Sequence, residues 1–145
     1  MKLTTADKWF SKLIREGAHG TCQKCGIISE EGRATGGSRA MQCSHFISRQ
    51  YKSVRLDSNN ALCLCASCHA HVEKDPSLHC DLYDSINGAG LREIISQKKW
   101  EVMKPVGGWK AYEKEAAKFY KKQYEEARDR RKGGFMGVMD IINFN

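Results

Sequence analysis

Residues 60–69 read Asn60-Ala61-Leu62-Cys63-Leu64-Cys65-Ala66-Ser67-Cys68-His69, and the Cys-x2-Cys pair inside this stretch governs how the rest is read. A pair with the same spacing, Cys22-Gln23-Lys24-Cys25, lies upstream, with 39 residues between Cys25 and Cys65. Zinc takes soft ligands in a tetrahedron. One Cys-x2-Cys knuckle places two thiolates on one side of the ion, and a distant second pair closes the other side. Cys22, Cys25, Cys65 and Cys68 are therefore expected to hold a structural Zn2+ that staples the base of a small inserted motif. Gly26, just after the first knuckle, lets the backbone turn tightly toward the sulfurs. Cys63 alternates with Cys65 and competes for its place, but the spacing from Asn60 favours Cys65. Cys43, Cys63 and Cys80 read as small buried residues.

Around this core the chain has 145 residues, enough for one domain or for one domain with a helical appendage. Its cysteine count is seven, and an odd number argues against a disulfide scaffold. The opening Met1-Lys2-Leu3-Thr4-Thr5-Ala6-Asp7-Lys8 has no apolar signal-peptide core, so a cytoplasmic location is expected. No apolar run approaches the roughly 20 residues of a membrane-spanning helix, and no membrane partner is expected. Lys and Arg outnumber Asp and Glu by 24 to 17, a net charge of +7 that suggests an anionic partner, most often nucleic acid.

Periodicity predicts an amphipathic first helix with Trp9, Phe10, Leu13 and Ile14 on one face, capped by Thr4 or Thr5 and ended by Gly17 and Gly20. Residues 21–44 read as irregular, with a glycine-rich turn at Gly32 to Gly37. Short β segments are expected at Ala40 to Ile47 and near Ser53 to Leu56. A helix is expected to follow the second knuckle as far as about Lys74, where Asp75-Pro76 stops it. Two more helices are expected between Pro76 and Met103, split by Asn87-Gly88-Ala89-Gly90. Pro105-Val106-Gly107-Gly108 marks a linker, which divides residues 1–104 from residues 105–145. Beyond it Trp109 to Lys132 is the strongest helical pattern in the chain. The apolar tail from Phe135 to Phe144 should dock on the domain or on a partner, since it would be sticky if exposed.

The order His45, Asn60, Cys65-x2-Cys68, His69 resembles the HNH nucleases, also called ββα-metal or His-Me finger nucleases. His45-Phe46-Ile47-Ser48-Arg49, then Val54-Arg55-Leu56-Asp57, then Asn60 and the second knuckle resemble the phage lambda NinG (Rap) recombination nucleases in particular. The arrangement is also similar to phage endonuclease VII, which resolves DNA junctions. The resemblance covers residues 22 to about 75. It implies an α+β fold, a zinc-stapled, treble-clef-like ββα-metal motif flanked by helices. It also implies a metal-dependent DNA endonuclease acting on branched or recombination-intermediate DNA in a phage context. Symmetric cutting of a junction needs two active sites, which would make the protein a homodimer with the 109–132 helix as interface.

Phosphodiester hydrolysis needs a base for water, positive charge for the phosphorane and help for the leaving oxygen. His45 is the candidate base, since an ordinary imidazole titrates near 6.5. Asn60 would fix His45 by bonding the loop backbone. His69 would hold a catalytic Mg2+ or Mn2+. The family often carries an acidic metal ligand just before the base or three residues before it. Here Gln42, Cys43 and Ser44 stand in that stretch, which leaves Gln42 as a neutral oxygen ligand and opens the site to Mn2+. His71 falls on another side of the helix and reads as a surface residue, and His19 and His79 have no evident partners. Arg49 and Arg55 suit phosphate gripping. Seven basic residues against three acidic ones from Lys118 to Lys132 nominate Lys118, Lys121, Lys122 and Arg128 as DNA contacts. The rival reading is a catalytically inactive zinc-dependent DNA-binding or scaffolding module, which would have no use for His45.

Overall fold

A computed structural model describes residues 2–29 and 41–144; the expected glycine-rich turn at Gly32 to Gly37, with Ala40, lies outside them. The first helix, α1 (Thr5–Gly17), begins at a capping box. The Thr4 hydroxyl oxygen accepts from the Asp7 amide at 3.1 Å, and the Asp7 carboxylate accepts the Thr4 amide at 2.7 Å. Asp7 is itself buried and is met by Arg55 at 2.5 Å. Burial alone would raise the Asp7 pKa, but hydrogen bonds from Arg55 and Thr4 outweigh it and hold the carboxyl below its ordinary value.

Two strands follow, β1 (Met41–His45) and β2 (Ala61–Cys65), paired antiparallel with His45 opposite Ala61 and Met41 opposite Cys65. Between them run a short helix, α2 (Lys52–Arg55), and a 3-10 turn at Ser58–Asn60. The β segment expected near Ser53 to Leu56 is therefore helical. Val54 is fully buried beside Ile47, Tyr83 and Ile95, and its amide bonds the Tyr51 carbonyl at 3.1 Å, which closes a turn. The second strand lies at Ala61–Cys65, where all five residues are buried and the chain shows no polar alternation to advertise it.

Helix α3 (Ala66–Lys74) leaves β2 directly. Asp75 ends it and caps α4 (Pro76–Asn87), accepting the Leu78 amide at 3.1 Å, with Pro76 in the first turn where a missing N–H costs nothing. Gly88 and Gly90, at φ 81° and 97°, turn the chain into α5 (Leu91–Lys98). Helix α6 (Gly108–Lys132) is the longest. The fold is α+β: a two-stranded hairpin on which both α1 and α3 pack, with α6 laid along α1. Phe10 meets Tyr120 edge-on at 5.2 Å, and Ala116, Tyr120 and Ala127 share one core with Leu13, Leu62 and Leu64. Helix α6 is thus packed into the same body as residues 1–104. Among the described residues, no helix is long and apolar enough to cross a membrane.

The tail docks on its own domain. Met139 is buried and its amide bonds the Gly17 carbonyl at 2.9 Å. Ile142 exchanges two hydrogen bonds with the Gln123 side chain at 2.8 and 2.9 Å, and the Phe144 ring lies 5.2 Å from Tyr112 and 5.5 Å from Phe119. Asn143 bonds Asp57 and the Ser58 amide at 3.1 and 2.8 Å. Deleting residues 135–145 should lower stability by roughly 3–5 kcal/mol, the burial of two large apolar side chains and their hydrogen bonds. A denaturant titration showing an unchanged midpoint would contradict this docking.

Candidate functional site

Two sites come together around the hairpin. The first is made by the knuckles: the sulfurs of Cys22, Cys25, Cys65 and Cys68 lie within 4.8 Å of one another. With Zn–S bonds of about 2.3 Å, the edge of a sulfur tetrahedron is about 3.8 Å. The Cys25 and Cys65 sulfurs lie 3.9 Å apart, so the donor set fits a metal ion such as zinc. Backbone amides favour the thiolate at Cys22, whereas burial and the neighbouring thiols raise the Cys68 pKa. Burial raises the Cys22 pKa, yet amides of Cys25, Cys65 and Lys24 directed at its sulfur bring it down to about 7. The Cys68 amide points to the Cys65 sulfur at 3.4 Å, and Gly26 sits at φ 78° where the knuckle turns. All seven cysteines are free thiols. Cys43 and Cys63 face each other across the strands, outside the cluster, and burial pushes both thiols up to about 12. They are neutral packing groups.

The second site is an open cleft of about 370 Å3 beside the hairpin, lined among others by His45, Arg49, His69, Glu73 and His79. His45 is the last residue of β1, and its Nε2 lies 2.9 Å from the Arg55 carbonyl oxygen. A carbonyl only accepts, so Nε2 carries the proton and Nδ1 keeps the lone pair. Burial is the main cause that lowers the His45 pKa to about 4, with the Arg55 carbonyl opposing it. The ring is therefore neutral across the physiological range.

Asn60 is fully buried and braces the loop that leaves His45. Its Oδ1 accepts the Ile47 amide at 2.7 Å, and its Nδ2 donates to the carbonyls of Ile47 at 2.9 Å and Val54 at 3.1 Å. The Asn60 carbonyl also accepts the Phe46 amide at 2.9 Å. Asn60→Ala would orphan one amide and remove a partner from two carbonyls, so a loss of roughly 2–4 kcal/mol is expected. Chemical denaturation checks it, and a loss below about 1 kcal/mol would mean that the loop does not depend on this amide.

His69 opens toward the cleft from the first turns of α3. Its Nδ1 is 2.6 Å from Gln42 Oε1 and its Nε2 is 3.2 Å from Glu73 Oε1. Gln42 and Glu73 thus meet opposite nitrogens of the His69 ring, so one ion on that ring can share only one of them, and Glu73 supplies a carboxylate that the residues preceding His45 lack. Sequence reading passed over Glu73, although its position four residues beyond His69 on one helix face was the available signal. His79, which sequence reading left without a partner, lines the same cleft edge-on to Phe46 at 5.0 Å, and its buried Nε2 has no hydrogen bond among the described residues. His71 is exposed on α3.

The cations nominated for DNA divide in two. Arg49 lines the cleft, whereas Arg55 is bound bidentately to Asp7 at 2.8 and 2.5 Å and also donates to the Lys2 carbonyl. Arg128 reaches the buried Glu16 carboxylate at 3.3 Å, beside Arg131. The expectation that Arg55 and Arg128 grip phosphate is corrected accordingly: Arg55 neutralises the buried Asp7, which it would strand if freed, and Arg128 shares the buried Glu16 with Arg131. Lys118, Lys121 and Lys122 are exposed on α6, the first two in loose pairs with Glu115 and Glu125 at 3.5 and 3.9 Å. In comparisons with known proteins, no family model, no curated protein and no solved structure matches this chain.

Proposed function

We propose that this chain is a metal-dependent DNA endonuclease of the HNH type, in which β1, β2 and α3 form a ββα-metal motif stapled by zinc on the four thiols. The observation that carries the reading is the cleft. It gathers a neutral, carbonyl-oriented His45, the guanidinium of Arg49, which has no carboxylate among the described residues, and His69 with Glu73, while Gln42 holds the His69 ring from its other nitrogen. In the proposed reaction His45 Nδ1 takes a proton from water, whose oxygen then attacks phosphorus. The bond from phosphorus to the leaving oxygen breaks, and that oxygen takes up a proton from solvent. Arg49 offsets charge on the non-bridging oxygens. An ion on His69 Nε2 would have Glu73 as its carboxylate, with Gln42 fixing the ring through Nδ1, and an imidazole with one carboxylate suits Mn2+ at least as well as Mg2+. A divalent ion held there would supply positive charge for the phosphorane and the leaving oxygen.

Supercoiled plasmid incubated with zinc-loaded protein and Mg2+ or Mn2+ should be nicked or linearised. Intact plasmid under both metals would overturn the reading. It would favour instead an inactive DNA-binding or scaffolding module, for which the neutral Gln42 in an acidic ligand's place speaks. Branched or recombination-intermediate DNA is the proposed substrate, and labelled linear, flap and four-way substrates test it. Equal cutting of all three would remove the branched preference. A dimer is part of the proposal only for symmetric junction cutting, and sedimentation with and without a junction would test it.

A further inference from the structure

We propose that a cationic track leads from the His45 cleft across α1 onto α6 and holds the DNA arm that flanks the cut phosphate. The inference rests on the nuclease reading for where the track begins, and it states where the rest of the substrate lies. Three clefts adjoin. The His45 cleft shares Arg49 with a second cleft of about 380 Å3, which contains Lys8, Lys12 and Arg15 of α1. That second cleft shares Thr5 and Trp9 with a third of about 530 Å3 between α1 and α6. The third is lined by Lys110, Lys114, Lys118 and Lys121. These four recur every three or four residues, one face of α6 rising roughly 16 Å.

Most cations on this path lack a carboxylate partner among the described residues, as do scattered ones off it such as Lys104 and Lys132; what sets the path apart is that its cations line adjoining grooves. Arg55, Arg92, Lys98, Arg128 and Arg131 each have a carboxylate. Lys8, Lys12, Arg15, Arg49, Lys110 and Lys114 have none among the described residues; Arg15 donates through Nη1 to the Ser11 hydroxyl at 3.3 Å, and its Nε is buried without a partner among those residues. Asp7 is the carboxylate in the second cleft, and Arg55 already occupies both of its oxygens. Glu113 stands in the third. Glu115 and Glu125 hold Lys118 and Lys121 only through exposed pairs, which a phosphate can readily displace. Trp9 ties the two helices of the track together. Lys12 and Lys121 sit over its ring, 4.6 and 5.6 Å from the centroid. Positive side chains held by no carboxylate or only by an exposed one, repeated along adjoining grooves, match an anion that repeats. The DNA backbone is such an anion, and a single phosphate is not.

The test uses full-length His45→Ala protein, loaded with zinc and kept in Mg2+, so that bound DNA is not consumed. Binding of a fluorescent duplex of about 30 base pairs is followed by anisotropy from roughly 50 to 300 mM KCl. Lys12→Gln with Lys114→Gln removes one track charge from each helix. Lys104→Gln with Lys132→Gln removes two exposed charges off the track. The track pair should weaken binding about tenfold and flatten the slope of log affinity against log salt by about 1.8, close to 0.9 per phosphate contact. The off-track pair should stay within about twofold of the parent. In addition, a duplex of about 10 base pairs, too short to cover three clefts, should bind the parent far more weakly and lose little on track substitution.

An unchanged slope for the track pair, equal losses in both pairs, or no dependence on duplex length would each overturn the track. Plasmid cutting by protein that retains His45 is read separately. Cutting with an unchanged slope discards the track and keeps the nuclease. A flattened slope without cutting keeps the track as a DNA surface and discards the nuclease.

Discussion

Stripping the metal from the four thiols is expected to unfold the protein. The hairpin has only ten residues of strand, and its base is joined to the 21–29 segment through few other bonds, among them the Gln23 amide to the Cys63 carbonyl at 2.8 Å and the Cys63 amide to Gln23 Oε1 at 2.7 Å. Structural zinc contributes roughly 10–16 kcal/mol in small domains, more than the whole net stability of an ordinary domain. Removing zinc should therefore collapse the near-ultraviolet signal of the packed aromatics Phe10, Tyr120 and Tyr83 and abolish a cooperative thermal transition. Cys22→Ser should lower the melting temperature sharply and reduce bound zinc below one ion per chain. Elemental analysis that finds no zinc, or a Cys22→Ser protein with wild-type thermal stability, would sink the ligand assignment. The same reasoning sets apart Cys43→Ser, which removes a packing thiol and should keep its zinc.

His45→Ala is expected to abolish cleavage, a loss of roughly 10²–10⁴-fold for removal of a general base. Zinc content and DNA affinity should stay near those of the parent, because His45 belongs neither to the thiol cluster nor to the cationic track. His69→Ala should also suppress cutting, but raised Mn2+ should partly restore it, since Glu73 would remain to hold the ion. Raised Mn2+ should do nothing for His45→Ala. A His45→Ala protein that cuts at the parental rate would end the nuclease proposal.

The pH profile follows His45. From an ordinary imidazole the rate would fall below about pH 6.5. Burial overturns that expectation by lowering His45 to about 4, with Arg49 and Arg55 acting in the same direction and Asp7 against it. A base works while unprotonated, so the acid limb set by His45 should move from about 6.5 toward 4. Stability runs in parallel. Between those two pH values the unfolded chain binds a proton at His45 that the folded chain refuses. The contribution of this group is therefore complete above about 6.5 and is lost as pH falls toward 4. Denaturant titrations at intervals across that window would show the slope, and His45→Ala should flatten it.

Sequence by itself determined those features whose physics is local. The Cys-x2-Cys spacing puts two sulfurs within one turn of backbone, so all four thiols could be named before any fold was known. Thr4 with Asp7 three residues later marks a helix start, and apolar spacing marks α1 and α6. The order of His45, Asn60 and His69 placed a base candidate, a brace candidate and a ligand candidate around a knuckle. Tertiary structure decided whatever depends on partners far along the chain. Ala61–Cys65 is a strand because α1 and α3 cover the hairpin, and burial of all five residues erased the alternation that identifies an exposed strand. Arg55 and Arg128 looked like phosphate ligands until Asp7 and Glu16 met them, 48 and 112 residues away. Charge alone does not reveal its partner, and a buried carboxylate claims a guanidinium more strongly than solvent does. The Glu73 carboxylate and the low pKa of His45 belong to the same class. One arises where two segments meet at a cleft and the other from the burial of a ring, and neither is a property of a residue by itself.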